Sequence, residues 1–324
     1  MSADTLTLFE HEFREFDWTE RDIISLERLR RAAGAAVLSA DVRAGRRGLR
    51  ASQHVGVVRL GGRTVQVLPK IHRAGAADEK EHAADATRNL LCMLAEAGRL
   101  PASEHALAPL LRRGGDWFEI LTHLFATHLS AEWRRGAHRF YQTVEDETPV
   151  LKGKWRVAEQ LRRPARRHLF PVVFDEFTAD NPLNRVFRFV VEHLRRLTRD
   201  DSNRRALGEL RQWMEEVTLL LHVGASDAPP LLLTRLNRRF EPLLNLARLF
   251  LEGGSLQLAA RDFDTFSFVF DMNQLFEAFL VNFIRRRRDS ILPDELQSCE
   301  QGLVFVLLAS YCLSNRSPLD VKDA

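Results

Sequence analysis

The sequence predicts an α+β fold in three parts: a small β-rich module at the N-terminus, a mainly helical middle, and the opening of a further α/β core near the C-terminus. Three observations carry this. Two alternating runs, Val55–Leu60 and Thr64–Leu68, flank Gly61-Gly62 and read as a β-hairpin. Apolar residues then recur at helical spacing through most of the chain from about residue 83 to 252. Last, the short apolar run Phe266–Phe270 leads directly into an amphipathic helix closed by Arg285–Arg288. The expected domains are 1–75, 83–260 with a basic β-hairpin at 138–175, and 261–324.

Taking the chain in order, residues 1–16 alternate loosely (Leu6, Leu8, Phe9, Phe13, Phe16), enough for a strand. Thr19 is placed to cap a helix running to about Ala33, with Gly34 as its stop. Pro69 ends the second hairpin strand. Residues 74–82 form a polar Ala/Gly-rich linker, and a helix follows from about Ala83 to Ala97. Asp116 and Glu119 have capping-box spacing and open a long helix to Gly136. His123 and His128 lie on or beside its apolar face; with no Cys or carboxylate at ligand spacing, they read as buried or boundary histidines rather than metal ligands.

Composition changes at residue 138. Residues 138–160 read as two strands around an acidic turn, Glu145–Pro149. From Leu151 to Phe170 there are seven basic residues, Lys152, Lys154, Arg156, Arg162, Arg163, Arg166 and Arg167, against one acid, Glu159. Two readings stand. The stretch is a solvated basic face, or it tracks phosphates of double-stranded DNA, since one-sided charge repels itself unless a polyanion answers it. A strand Phe170–Phe174 follows, then Asp180 as N-cap of a helix to about Arg199, and helices at about 203–222 and 237–252.

In the final helix, Met272, Leu275, Phe276, Phe279, Leu280, Phe283 and Ile284 form one apolar stripe, with Asp271 and Gln274 at capping-box spacing. Glu277 is the acid within it, beside the stripe. It is either a solvated boundary residue or a metal-assisting carboxylate, and helix pattern alone does not choose.

The totals bound the class. A net charge of +3, 45% hydrophobic and 28% charged residues over 324 positions describe a soluble globular protein. Cys92, Cys299 and Cys312 show neither metal-ligand spacing nor a disulfide framework, which fits a reducing cytoplasm. The N-terminus lacks the basic and apolar regions of a signal peptide, and the longest apolar run, Leu303–Leu313, is too short to span a membrane.

Four stretches in this order resemble the McrC family, the nuclease subunits of the McrBC restriction system that acts on DNA with modified cytosine: Val67-Leu-Pro-Lys-Ile71; Gly153-Lys154 within LKGKW; Phe174 to Arg185, FDEFTADNPLNR; and Phe270 to Glu277, FDMNQLFE. The resemblance covers about residues 10–296. It implies an N-terminal part that docks on a GTP-driven AAA+ partner of McrB type, and a C-terminal PD-(D/E)xK nuclease using Mg²⁺. In that class a helix Glu, a strand Asp and an Asp/Glu-x-Lys pair hold the metal and activate water. Under the match Glu277 becomes the helix carboxylate and a metal ligand.

The chain departs from the family pattern near its end. Only 36 residues follow Arg288, too few for the remaining strands, so an incomplete, truncated nuclease core is expected. Asp320-Val-Lys322 has the chemistry of the missing pair, Asp320 as metal ligand and Lys322 as catalytic ammonium, and Pro293-Asp294 that of the preceding step. Their context favours chance: Asp294 follows the helix too closely, and Pro318 stands where a strand should run. The chain carries no G-x-x-x-x-G-K-[ST] loop, so it is not expected to bind GTP itself. Three functions are therefore open: a DNA-cleaving subunit of a modification-dependent (type IV) restriction system, a non-catalytic adaptor that docks on the AAA+ ring and stimulates GTP hydrolysis, or a basic, mainly helical DNA-binding protein with no motor partner.

Overall fold

A computed structural model describes residues 5–33, 36–60, 63–70, 79–100, 116–166, 168–228, 233–235, 237–253 and 265–286. The fold is α+β and forms two compact units, Met1–Ile120 with Gly253–Ala324, and Leu121–Glu252. These divisions differ from the expected boundaries near 75 and 260. The strand expected to open a separate C-terminal domain lies instead in the sheet built from the N-terminal hairpin.

In the first unit that sheet has the order β1 (Thr5–Phe9), β6 (Arg63–Leu68), β5 (His54–Leu60) and β10 (Thr265–Asp271). β1 is parallel to β6, and the other pairs are antiparallel. The hairpin β5–β6 is buried on both faces, and Arg59, Thr64 and Gln66 are buried along with its apolar residues. One face carries Val58, Leu60, Val65 and Val67 and packs against Leu26 and Leu29 of α1 (Glu20–Ala33) and against Leu38 and Leu49. The other carries Arg59 and Gln66, with Phe268 and Phe270 from β10, under Trp117 and Phe118. Each fully buried aromatic or aliphatic side chain here stabilises by roughly 1.5–3 kcal/mol. Arg59 survives in this layer because it pairs with Glu119 at 3.2 Å, lies over the Phe118 ring and keeps its side chain 5% exposed.

A second, three-stranded sheet, β2 (Phe13–Glu15), β4 (Arg46–Ala51) and β3 (Leu38–Arg43), was not expected. Within the expected strand region 1–16, the described residues 5–16 thus form two strands separated by a turn at His11, not one. Thr19 caps α1 as expected, and Asp22 reaches back to the Thr19 amide at 2.8 Å. The helix α2 (Glu79–Glu96) starts inside the stretch expected to be linker. Gly34, Gly61 and Gly62 lie outside the described residues.

The second unit centres on α5 (Pro182–Leu197), whose Phe187, Phe189, Val190, Val191 and Leu194 are buried. Phe125 of α3 (Trp117–Arg135) meets Phe187 and Phe250, the latter from α7 (Glu241–Gly253). Leu207 and Leu210 of α6 (Asp201–Trp213) close the core. That helix is shorter than the expected 203–222.

This unit also holds a sheet of order β7 (Phe140–Thr148), β9 (Phe170–Thr178), β8 (Lys154–Trp155), with a short helix α4 (Val157–Arg162) between β8 and β9. The acidic run does not form a turn. Glu145, Asp146 and Glu147 continue β7, paired with Val173, Val172 and Pro171 of β9. β7 therefore pairs with β9 rather than with a strand following a turn at 145–149. Among the described residues, no helix is long and apolar enough to cross a membrane.

Candidate functional site

Of the seven basic residues expected to track phosphates, the six described ones fall on and around β8, α4 and the following turn. Arg156 pairs with Glu145 at 2.6 Å and with Glu159 at 3.1 Å. Arg163 pairs with Glu147 and, at 2.9 Å, with Glu159; Arg166 reaches Glu147 at 2.9 Å. Arg166 first, and Arg163 with it, hold the Glu147 carboxyl below the usual carboxylate range. Lys152 sits over the Phe174 ring, 3.5 Å from its centroid. Lys154 and Arg162 are exposed, and Arg167 lies outside the described residues. A cleft of about 390 Å³ beside these pairs is lined by Glu145, Glu147, Glu159 and Arg156, among others.

This narrows the physical argument made from sequence. Part of the charge excess between Leu151 and Phe170, at Arg156, Arg163 and Arg166, is answered within the chain by carboxylates of β7. Linear counting missed them because they precede the basic run and reach it only through the β7–β9–β8 register. Glycine at 153 makes the approach possible: its φ is +66°, and a Cβ would meet the Val173 carbonyl at 2.4 Å.

The 180–185 stretch is held by a different residue than expected. Asn181, not Asp180, caps α5, accepting from the Asn184 amide at 3.0 Å, with Pro182 in the first turn. The side-chain amides of Asn181 and Asn184 both donate to the His138 carbonyl, at 2.9 and 2.8 Å. Asp180 takes a bidentate grip on Arg185 at 2.7 and 2.9 Å and accepts from the Thr218 amide and hydroxyl at 2.9 and 2.6 Å. The Arg185 guanidinium, then the two Thr218 bonds, push its carboxyl far below the usual range.

Glu277 lies on α8 (Met272–Arg286), which leaves β10 directly. Asp271 accepts from the Asn273 amide at 2.9 Å, and the Met272 amide donates to the Gln53 carbonyl. Leu275 is buried and Phe276 is 40% exposed, so the buried face is narrower than the stripe suggests. Glu277 itself is exposed rather than at the edge of a core. Among the described residues no three His, Cys, Asp or Glu side chains are grouped to hold a metal ion. Asp294, Asp320 and Lys322 lie outside the described residues.

His123 and His128 behave as boundary histidines. His123 Nδ1 contacts Asn203 Oδ1 at 3.0 Å, and burial pushes the His128 pKa down against the pull of Glu132.

With this geometry in place, the comparisons decide the family. Residues 49–304 match the family described as McrBC 5-methylcytosine restriction system component. The chain belongs to the McrBC family. A chain of the refined half-complex from the tetradecameric assembly of Thermococcus gammatolerans McrB AAA+ hexamers with bound McrC is similar at 27% identity and a TM-score of 0.67, covering 87% of this chain and 70% of that one. A chain of the cryo-EM structure of the Thermococcus gammatolerans McrBC complex is similar at 24% identity and the same TM-score, covering 96% and 99%. No curated protein matches. The McrBC match takes in the β5–β6 hairpin, the whole helical unit, β10 and α8.

Proposed function

We propose that this chain is the McrC-type subunit of a modification-dependent, type IV restriction system and acts with a GTP-driven AAA+ partner of McrB type to cleave DNA. The match over residues 49–304 carries the reading. The Thermococcus gammatolerans assembly, in which McrC is bound to McrB hexamers, supports the choice of partner. A cytoplasmic location goes with it.

Within this reading, Lys154 and Arg162 are the leading phosphate contacts of the basic set, being exposed and outside the ion pairs that occupy Arg156, Arg163 and Arg166. Glu277 is proposed as one carboxylate of a Mg²⁺-dependent phosphodiesterase site. One exposed acid alone does not hold the ion tightly, so the site needs further ligands beside it. Hard carboxylate oxygens suit Mg²⁺, which is the chemical basis of the assignment.

The test is a cleavage assay on methylated duplex DNA with the McrB-type partner, GTP and Mg²⁺, comparing wild type with Glu277→Ala. Cleavage by wild type and its loss in the variant, with GTP hydrolysis still stimulated, is the expected result. Stimulation of GTP hydrolysis by both chains without cleavage by either would replace the nuclease reading with that of a non-catalytic adaptor.

A further inference from the structure

Helices α5 and α6 hold more positive charge in one place than joining them requires. The Glu192 side chain on α5 is 9% exposed. Its Oε1 accepts from Arg196 at 3.1 Å (Nε) and 2.9 Å (Nη2), and from Arg195 Nη2 at 3.4 Å. Its Oε2 lies 3.3 Å from Arg211 Nε on α6. Among the described residues no other carboxylate pairs with any of these three arginines. Arg188, one turn earlier on α5, turns to the Met214 backbone carbonyl instead.

One carboxylate thus gathers three guanidiniums, and the cluster keeps an excess of two positive charges. A single arginine from α6 would tie the helices together. Arg195 and Arg196 come from the same helix as Glu192, so they add charge without adding a link. The Nε of Arg195 is buried and has no hydrogen-bond partner. The side chains of Arg195, Arg196 and Arg211 are nonetheless 31%, 41% and 53% exposed, leaving donors open to solvent. Guanidinium forks held at fixed spacing match the oxygens of a phosphate, and a counter-ion beneath them pre-organises the forks without neutralising them.

We propose that Arg195, Arg196 and Arg211 form a phosphate-binding site on the helical unit. The phosphate belongs either to a nucleic-acid backbone or to a free nucleotide. Only the nucleic-acid source rests on the DNA-cleaving reading above.

The test uses the whole chain without partner. Binding to a fluorescent duplex is followed between 50 and 200 mM salt, and GTP binding is measured by equilibrium dialysis. Arg195→Gln/Arg211→Gln leaves Arg196 to pair with Glu192; Lys154→Gln/Arg162→Gln is the control away from the cluster. Two lost phosphate contacts lower the log–log salt slope by about 1.8, so affinity falls about twelve-fold less across that range than for wild type. Glu192→Gln, which removes the internal counter-ion and keeps the arginines, tightens binding. GTP bound by wild type and lost in the arginine variant supports the site with a nucleotide as its source. An unchanged slope in the arginine variant, together with no GTP binding by wild type, overturns the proposal. So does a slope change confined to the Lys154/Arg162 variant, a result that leaves the DNA-cleaving reading standing.

Discussion

Replacing Asp180 with asparagine is the sharpest test of how the β9–α5 junction is held. Its two oxygens accept four hydrogen bonds, two from Arg185 and two from Thr218. The side chains of Asp180 and Arg185 are 23% and 31% exposed, so the pair is screened less than a surface bridge but is not buried. A hydrogen bond to a charged group contributes roughly 1.5–3 kcal/mol when well shielded; partial exposure and retention of one amide oxygen bring the expected net loss to about 2–3 kcal/mol at pH 7. The sign of the pH dependence follows from the depressed carboxyl. A group with a lowered folded pKa contributes fully above its unfolded value of about 3.9, and the contribution drains as pH falls below that toward the folded value. Urea denaturation of wild type and Asp180→Asn, at steps from pH 7 to pH 3, should show a gap that is full at neutral pH and narrows below about pH 4. A gap under about 0.5 kcal/mol at pH 7, the size of an ordinary surface substitution, or one that stays constant down to pH 3, would refute the assigned role.

Other expectations are as direct. Gly153→Ala places a Cβ against the Val173 carbonyl at a φ of +66°, and should destabilise the β8–β9 pairing by at least 1–2 kcal/mol, read as faster amide exchange at Lys154 and Trp155. Gly56→Ala drives a Cβ into the Phe268 carbonyl at 2.3 Å, where the neighbour is backbone and cannot give way; thermal unfolding should shift down by several degrees or the chain should fail to fold. Burial pushes the His193 pKa down, with Arg196 adding to it against the Phe189 carbonyl. The unfolded chain therefore takes up a proton that the folded one resists as pH falls below about 6.5. Thermal stability should decline from pH 7 to pH 5, and His193→Gln should flatten part of that slope.

What the sequence showed and what it hid divide along the distance over which each signal acts. The cap at Thr19, the half-box at Asp116 (Glu119 amide to Asp116 Oδ1, 3.0 Å) and the β5–β6 alternation are local, and the structure has all three. At Asp180 and Asn181 two neighbouring residues were both competent caps, and only the reach to Arg185 and Thr218 decided which one was drawn away. β3 and β4 were hidden because Arg43, Arg46, Arg47 and Arg50 mask the alternation, leaving Leu49 and Ala51 as its buried remnant. The neutralisation of Arg156, Arg163 and Arg166 needed strand register, which a linear count of charge does not contain. Around Glu277 the seven-residue apolar stripe implies a wide buried face, yet Phe276 beside it is 40% exposed.

The pairing of β10 with β5 has a consequence for the order of assembly. The sheet started by Thr5–Phe9 lacks an edge until Thr265–Asp271 has been made, whereas Leu121–Glu252 is continuous in the chain. During vectorial synthesis the intervening helical body is therefore the first to be complete, and the polypeptide's beginning waits, with Val55–Leu60 uncovered on one side, for a late-emerging ribbon to seal it.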